Sequence, residues 1–141
     1  MGFRLMIVDD SSSMRSIVKR TVEMSGFDVE QFLEADNGKT ALEILDNEWV
    51  DVILSDLNMP VMDGEAFLAA LKENPMFSEI PVVVVTTEGR NEKLQQLRNL
   101  GAAAFVKKPF KPEVIRDTLV RALGLDSLDG LGEDDGDDMD F

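Results

Sequence analysis

Residues 53–64 read ILSDLNMPVMDG, and the way this stretch ends decides the fold. Val52, Ile53 and Leu54 form an apolar run of the kind that becomes a buried strand. The run stops on a lone carboxylate, Asp56, and Met59-Pro60 then prevents the strand from continuing. Working outward, the same device recurs. Phe3 to Val8 is an apolar run that ends in Asp9-Asp10. Pro81-Val-Val-Val-Val-Thr86 is continuously β-branched and is expected to be covered on both faces. A short run from Ala103 to Lys107 ends in Lys108-Pro109-Phe110.

Helical patterns lie between these runs. Ser11 to Met24 places Met14, Ile17, Val18 and Val22 at helical spacing, with Ser11 or Ser12 as N-cap and Gly26 as stop. A weaker strand near Val29–Leu33 leads to a helix over 38–47, and the strand at 50–55 precedes a helix over 64–73. A polar helix over 92–100 follows the β-branched strand, and Pro112 opens a last helix reaching Leu123. Five strands, each followed by a helix, predict an α/β fold: a parallel sheet with helices on both faces and right-handed crossovers. Residues 1–124 form this domain, and 125–141 form an acidic tail too charged to build a core of its own.

Composition narrows the chemistry. The 141 residues include no cysteine and no histidine, which excludes disulfides, thiolate metal sites, His-based triads and phosphohistidine on this chain. Net charge is −14, with eight acidic and no basic residues from Leu125 to Phe141, leaving −6 for the rest. Such a polyanion is not expected to bind nucleic acid. No signal peptide, myristoylation motif or membrane-spanning run is read, so a cytoplasmic protein without membrane association is expected.

An open parallel sheet binds ligands beyond the carboxyl ends of its strands. Those ends carry Asp9-Asp10, Asp56, Thr86 with Thr87 and Glu88, and Lys108. Any one of the aspartates reads as a helix cap or turn former. Together on one edge they form a carboxylate cluster whose mutual repulsion a cation would relieve. Oxygen ligands alone suit Mg²⁺ or Mn²⁺ better than zinc.

The set Asp9-Asp10, Asp56-Leu57-Asn58-Met59-Pro60 through Met62-Asp63-Gly64, Thr86 and Lys108-Pro109-Phe110 resembles the receiver domain of bacterial two-component response regulators. It is most similar to the single-domain, CheY-like chemotaxis type, over roughly residues 3–124. The resemblance implies a flavodoxin-like, doubly wound five-stranded sheet of order 2-1-3-4-5. It implies that Asp56 accepts a phosphoryl group from the phosphohistidine of a histidine kinase. It further implies Mg²⁺ held by Asp10, Asp56 and the Asn58 carbonyl, with Asp9 assisting directly or through water. Lys108 and Thr86 would contact the phosphoryl oxygens, and Thr86 with Phe105 would form the switch. Asn58 and Glu88, two residues beyond Asp56 and Thr86, would set a short acyl-phosphate lifetime.

The fourth helix, fifth strand and fifth helix would meet the target, either the flagellar motor or another chemotaxis component, and a phosphatase is a further expected partner. Phe105 stands where chemotaxis regulators commonly carry Tyr, and so offers a target no hydroxyl. With no sequence left for an output domain, a monomeric stand-alone regulator is expected rather than a turnover enzyme. The alternatives are a phosphate sink, a phosphorelay intermediate and an aspartyl-nucleophile phosphatase. Asn58 opposes the last, because such enzymes place a second acid there. The tail is expected to be a disordered, solubilising extension. Its Leu125, Leu128 and Leu131, with Met139 and Phe141, alternatively form a docking stripe, similar to the acidic, leucine-bearing peptide with which the chemotaxis phosphatase docks.

Overall fold

The computed structural model describes residues 2–125. The expectations for 126–141, a solubilising extension or a leucine-bearing docking stripe, lie outside the described residues. Ten elements alternate: β1 (Phe3–Val8), α1 (Ser12–Ser25), β2 (Val29–Ala35), α2 (Gly38–Leu45), β3 (Val52–Ser55), α3 (Gly64–Glu73), β4 (Val82–Thr86), α4 (Asn91–Asn99), β5 (Ala104–Lys107) and α5 (Pro112–Ala122). The five strands form one parallel sheet of order β2-β1-β3-β4-β5. The expected α/β fold and strand order are both observed.

Each continuous apolar run is explained by burial on two sides. Along β4, Val82 and Val84 join a core with Ala41, Leu45, Phe67, Leu68, Leu71 and Leu97 from α2, α3 and α4. Val83 and Val85 face the other way, into a core with Val18, Val22, Ile115 and Leu119 from α1 and α5. β1 divides likewise, with Met6 and Val8 on the first side and Leu5 and Ile7 on the second. Burying one such side chain stabilises the fold by about 1.5–3 kcal/mol relative to exposure, so a polar substitution in either stripe is severe.

Local chemistry sets the element ends. Ser11 accepts the Met14 amide at the start of α1, and Gly26 closes the helix at φ +84°, a conformation natural for glycine. β3 begins at Val52 rather than the expected Val50, because Asp51 serves as a clamp. Its amide donates to the Arg4 carbonyl at 2.8 Å, and its carboxylate accepts from the Arg4 amide and from Trp49 Nε1. α2 ends at Leu45, earlier than expected, because the Asn47 amide turns back to the Ile44 carbonyl. Among the described residues no helix is long and apolar enough to cross a membrane.

Candidate functional site

Three backbone hydrogen bonds at the sheet's carboxyl edge fix the candidate residues. The Asp9 amide donates to Ala35 of β2, the Asp56 amide to Val8 of β1, and the Lys108 amide to Thr86 of β4. Each residue is therefore the first beyond its own or the neighbouring ladder, held by the sheet while its side chain leaves the pleat. As a result, oxygens of Asp9, Asp10 and Asp56 lie within 4.8 Å of one another. Lys108 Nζ stands 3.5 Å from Asp56 Oδ1 and 3.8 Å from Asp9 Oδ2. The predicted convergence of these four residues is observed.

The four groups differ in exposure. Asp9 is 5% exposed, Asp56 is half-buried and Asp10 is open to solvent. Burial is the main cause that pushes the Asp9 carboxyl above its usual value. The Ser11 amide, donating to Asp9 Oδ1 at 2.9 Å, lowers it, the charge of Asp56 raises it, Lys108 lowers it, and Asp10 raises it. A single ammonium opposes three carboxylates here, so the cluster suits a hard divalent cation, and Asp9, Asp10 and Asp56 fit one. The site thus combines a half-buried carboxylate, a cation-binding cluster and an ammonium, the components phosphoryl transfer needs for positioning and charge neutralisation.

The β3–α3 loop is built around Asp56. Leu57 donates its amide to Asp56 Oδ1 at 2.8 Å, and Ser55 Oγ donates to the Asp56 carbonyl at 2.9 Å. Gly64 packs directly beneath: a Cβ there would lie 2.4 Å from the Asp56 carbonyl oxygen and 2.8 Å from Leu57 Cα. Val61 in the same loop sits at φ +67°, uncommon and strained for a β-branched residue.

Thr86 is buried, and its hydroxyl accepts the Glu88 amide at 2.9 Å. The Glu88 carboxylate takes Arg90 Nε at 2.8 Å, Nη2 at 3.1 Å and the Arg90 amide at 2.8 Å. The side-chain bond to Arg90 leads the causes that lower the Glu88 carboxyl to about 2. A polar cleft of about 280 Å³ runs between this loop and the β3–α3 loop, lined by Asn58, Glu65, Thr86, Glu88, Arg90 and Lys93 among others.

With this geometry in hand, the family profile of the response regulator receiver domain matches residues 5–120. The chain belongs to that family. The chemotaxis protein CheY homolog of Campylobacter jejuni is 36% identical over 131 residues, 92% of this chain and 99% of the relative. Chemotaxis protein CheY1 of Helicobacter pylori is 38% identical over 122 residues, 86% of this chain and 97% of the relative. Among solved structures, chemotaxis response regulator CheY4 of Vibrio cholerae superposes with a TM-score of 0.76 at 37% identity, covering 87% of this chain and all of the other.

Two contacts of this receiver domain were not legible in its sequence. Phe105 on β5 is half-buried, and its ring carries the Arg98 guanidinium of α4 at 5.1 Å. Lys93 at the start of α4 pairs with Glu65 at the start of α3, bridging the cleft. Lys93 and Glu65 are 28 positions apart and Arg98 and Phe105 stand on different elements, so no local pattern announces either contact. Asp63, which enters the sequence reading only within the Met62-Asp63-Gly64 motif, is the N-cap of α3, accepting the Ala66 amide at 2.9 Å.

Proposed function

We propose that this protein is a CheY-type response regulator of two-component chemotaxis signalling, with residues 1–124 as its receiver unit and Asp56 as its phosphoacceptor. The observation that carries the reading is Lys108 Nζ, 3.5 Å from the Asp56 carboxylate, in a cluster that also contains Asp9 and Asp10. The names of its relatives support the chemotaxis setting.

In this reading Asp10 and Asp56, with the Asn58 carbonyl, would hold Mg²⁺, with Asp9 assisting directly or through water, and the bound ion would supply charge neutralisation for the anionic phosphoryl group. An Asp56 carboxylate oxygen attacks the phosphorus of a kinase phosphohistidine. A new P–O bond forms, the P–N bond breaks, and the imidazole nitrogen leaves with the electron pair. Lys108 neutralises one phosphoryl oxygen. Thr86, rotating away from the Glu88 amide, donates its hydroxyl to another, and the movement reaches Phe105, which lies opposite Val84 on the adjoining strand, two residues below Thr86 on the same face of the sheet. Asn58 and Glu88, both lining the cleft, set how readily water reaches the acyl phosphate. The altered α4–β5–α5 face then binds a partner protein.

The test is phosphotransfer from a chemotaxis-class histidine kinase to wild type and Asp56→Asn, each with and without a chelator. Label on the wild type alone, lost with the chelator and decaying within minutes, is expected. Label on Asp56→Asn, or repeated turnover of small phosphate esters, overturns the reading.

A further inference from the structure

The helix layer formed by α1 and α5 differs from the rest of this acidic surface. The two helices pack side by side and leave Ile17, Met24 and Val114 exposed. An apolar groove of about 440 Å³ opens between Met14 and Ile17 of α1 and Pro109 and Phe110 before α5, ending on Lys108 and Thr87. Of the cations on α1, Arg15 pairs with Glu34 at 2.8 Å and Lys19 lies over the Phe32 ring, both on the β2 side, which leaves Arg20 as the exposed one. This face is therefore mainly apolar, with Arg20 exposed on the same helix.

We propose that its occupant is the chain's own segment 126–141, with Met139 and Phe141 seated in the groove. Three observations carry the proposal. Leu125 packs into the α1–α5 core, and its amide donates to the Val120 carbonyl at 2.9 Å, so the segment departs from the foot of this same layer. From there α5 is about 17 Å long, at 1.5 Å per residue, while sixteen extended residues reach about 50 Å. The segment can therefore run back along the helix to the groove. Finally, residues 126–141 hold eight acids, no base, and Leu128, Leu131, Met139 and Phe141. The segment's apolar residues suit an apolar groove, Arg20 can take one of its acids, and the acidic remainder of the surface repels the others.

The chain has no cysteine, so Asp138→Cys gives the full-length protein one attachment point for a nitroxide spin label. The expected result is selective broadening of the backbone amide signals of Ile17, Thr21 and Phe110. It should be lost on replacing exposed Ile17 (Ile17→Glu) and weakened at about 1 M salt, where the screening length is roughly 3 Å. Broadening strongest on α3 or α4, or uniform over the surface, overturns the proposal. So does broadening that arises only between a labelled molecule and a separate isotopic one, which would indicate a second copy as the occupant. No phosphorylation is involved, so a negative result leaves the phosphoacceptor reading standing.

Discussion

The β3–α3 loop and the β4–α4 loop leave the same edge of the sheet but are secured by different means. The first is locked by backbone: Gly64 donates its amide to Leu57 at 2.8 Å, Gly38 donates to Met62 at 3.0 Å, and Asp63 caps α3. The helix it leads into then buries Phe67, Leu68 and Leu71. The second rests on side chains near solvent, the Glu88–Arg90 and Glu65–Lys93 pairs, whose exposed settings make each worth little. Its helix, α4, has no side-chain cap, and of its residues only Leu97 is fully buried. On the proposed reading a phosphoacceptor must be held still while its readout must be able to move, and the two loops would divide these tasks.

The largest expected difference between them comes from their glycines. Gly64→Ala drives a Cβ into backbone and should cost about 1–3 kcal/mol in a denaturant titration. Gly89→Ala meets only the mobile end of Lys107, at 3.0 Å, and should stay within about 0.5 kcal/mol. Equal losses would break the comparison. Next come the helix starts. Asp63→Ala removes a bonded cap and should cost about 1 kcal/mol, whereas Arg90→Ala removes none and should be nearly neutral to stability.

Asp9 gives a smaller effect of opposite sign. Its raised carboxyl means that the folded state holds the proton more tightly than the unfolded chain does. Stability is therefore lost as pH rises from 3.8 through the folded value. Asp9→Asn should raise Tm in Mg²⁺-free buffer at pH 7, and added Mg²⁺ should narrow the gap by stabilising the wild type. A lower Tm would show that the cluster is not under electrostatic strain. The smallest effect is local: NMR titration of the Glu88 carboxyl should give a midpoint near 2 in the wild type and return toward 4.5 in Arg90→Ala.

The legible part of this molecule is the part that obeys a period. Two-sided burial wrote β1, β3 and β4 as apolar runs, and the end of each run placed Asp9, Asp10, Asp56 and Thr86 on one edge. The same reasoning placed Lys108 after β5, and all of these positions are observed. The contacts that tie α4 were hidden because Lys93 meets Glu65 across 28 positions and Arg98 meets Phe105 from another element. Such pairs depend on how helices settle on the sheet, which no window of sequence reports. Gly64 is expected from sequence as the first residue of a helix, but its tighter constraint, the carbonyl of Asp56 directly against it, arises only once the loop has folded.

The account stands on Asp56 being a carboxylate that takes up a phosphoryl group beside a divalent ion and Lys108. Fluorine NMR of beryllofluoride, a mimic of the acyl phosphate, tests this most directly. The account predicts a set of bound signals in the wild type that requires Mg²⁺, weakens in Lys108→Ala and vanishes in Asp56→Asn. Bound signals that persist in Asp56→Asn, or none in the wild type at saturating Mg²⁺, would contradict it.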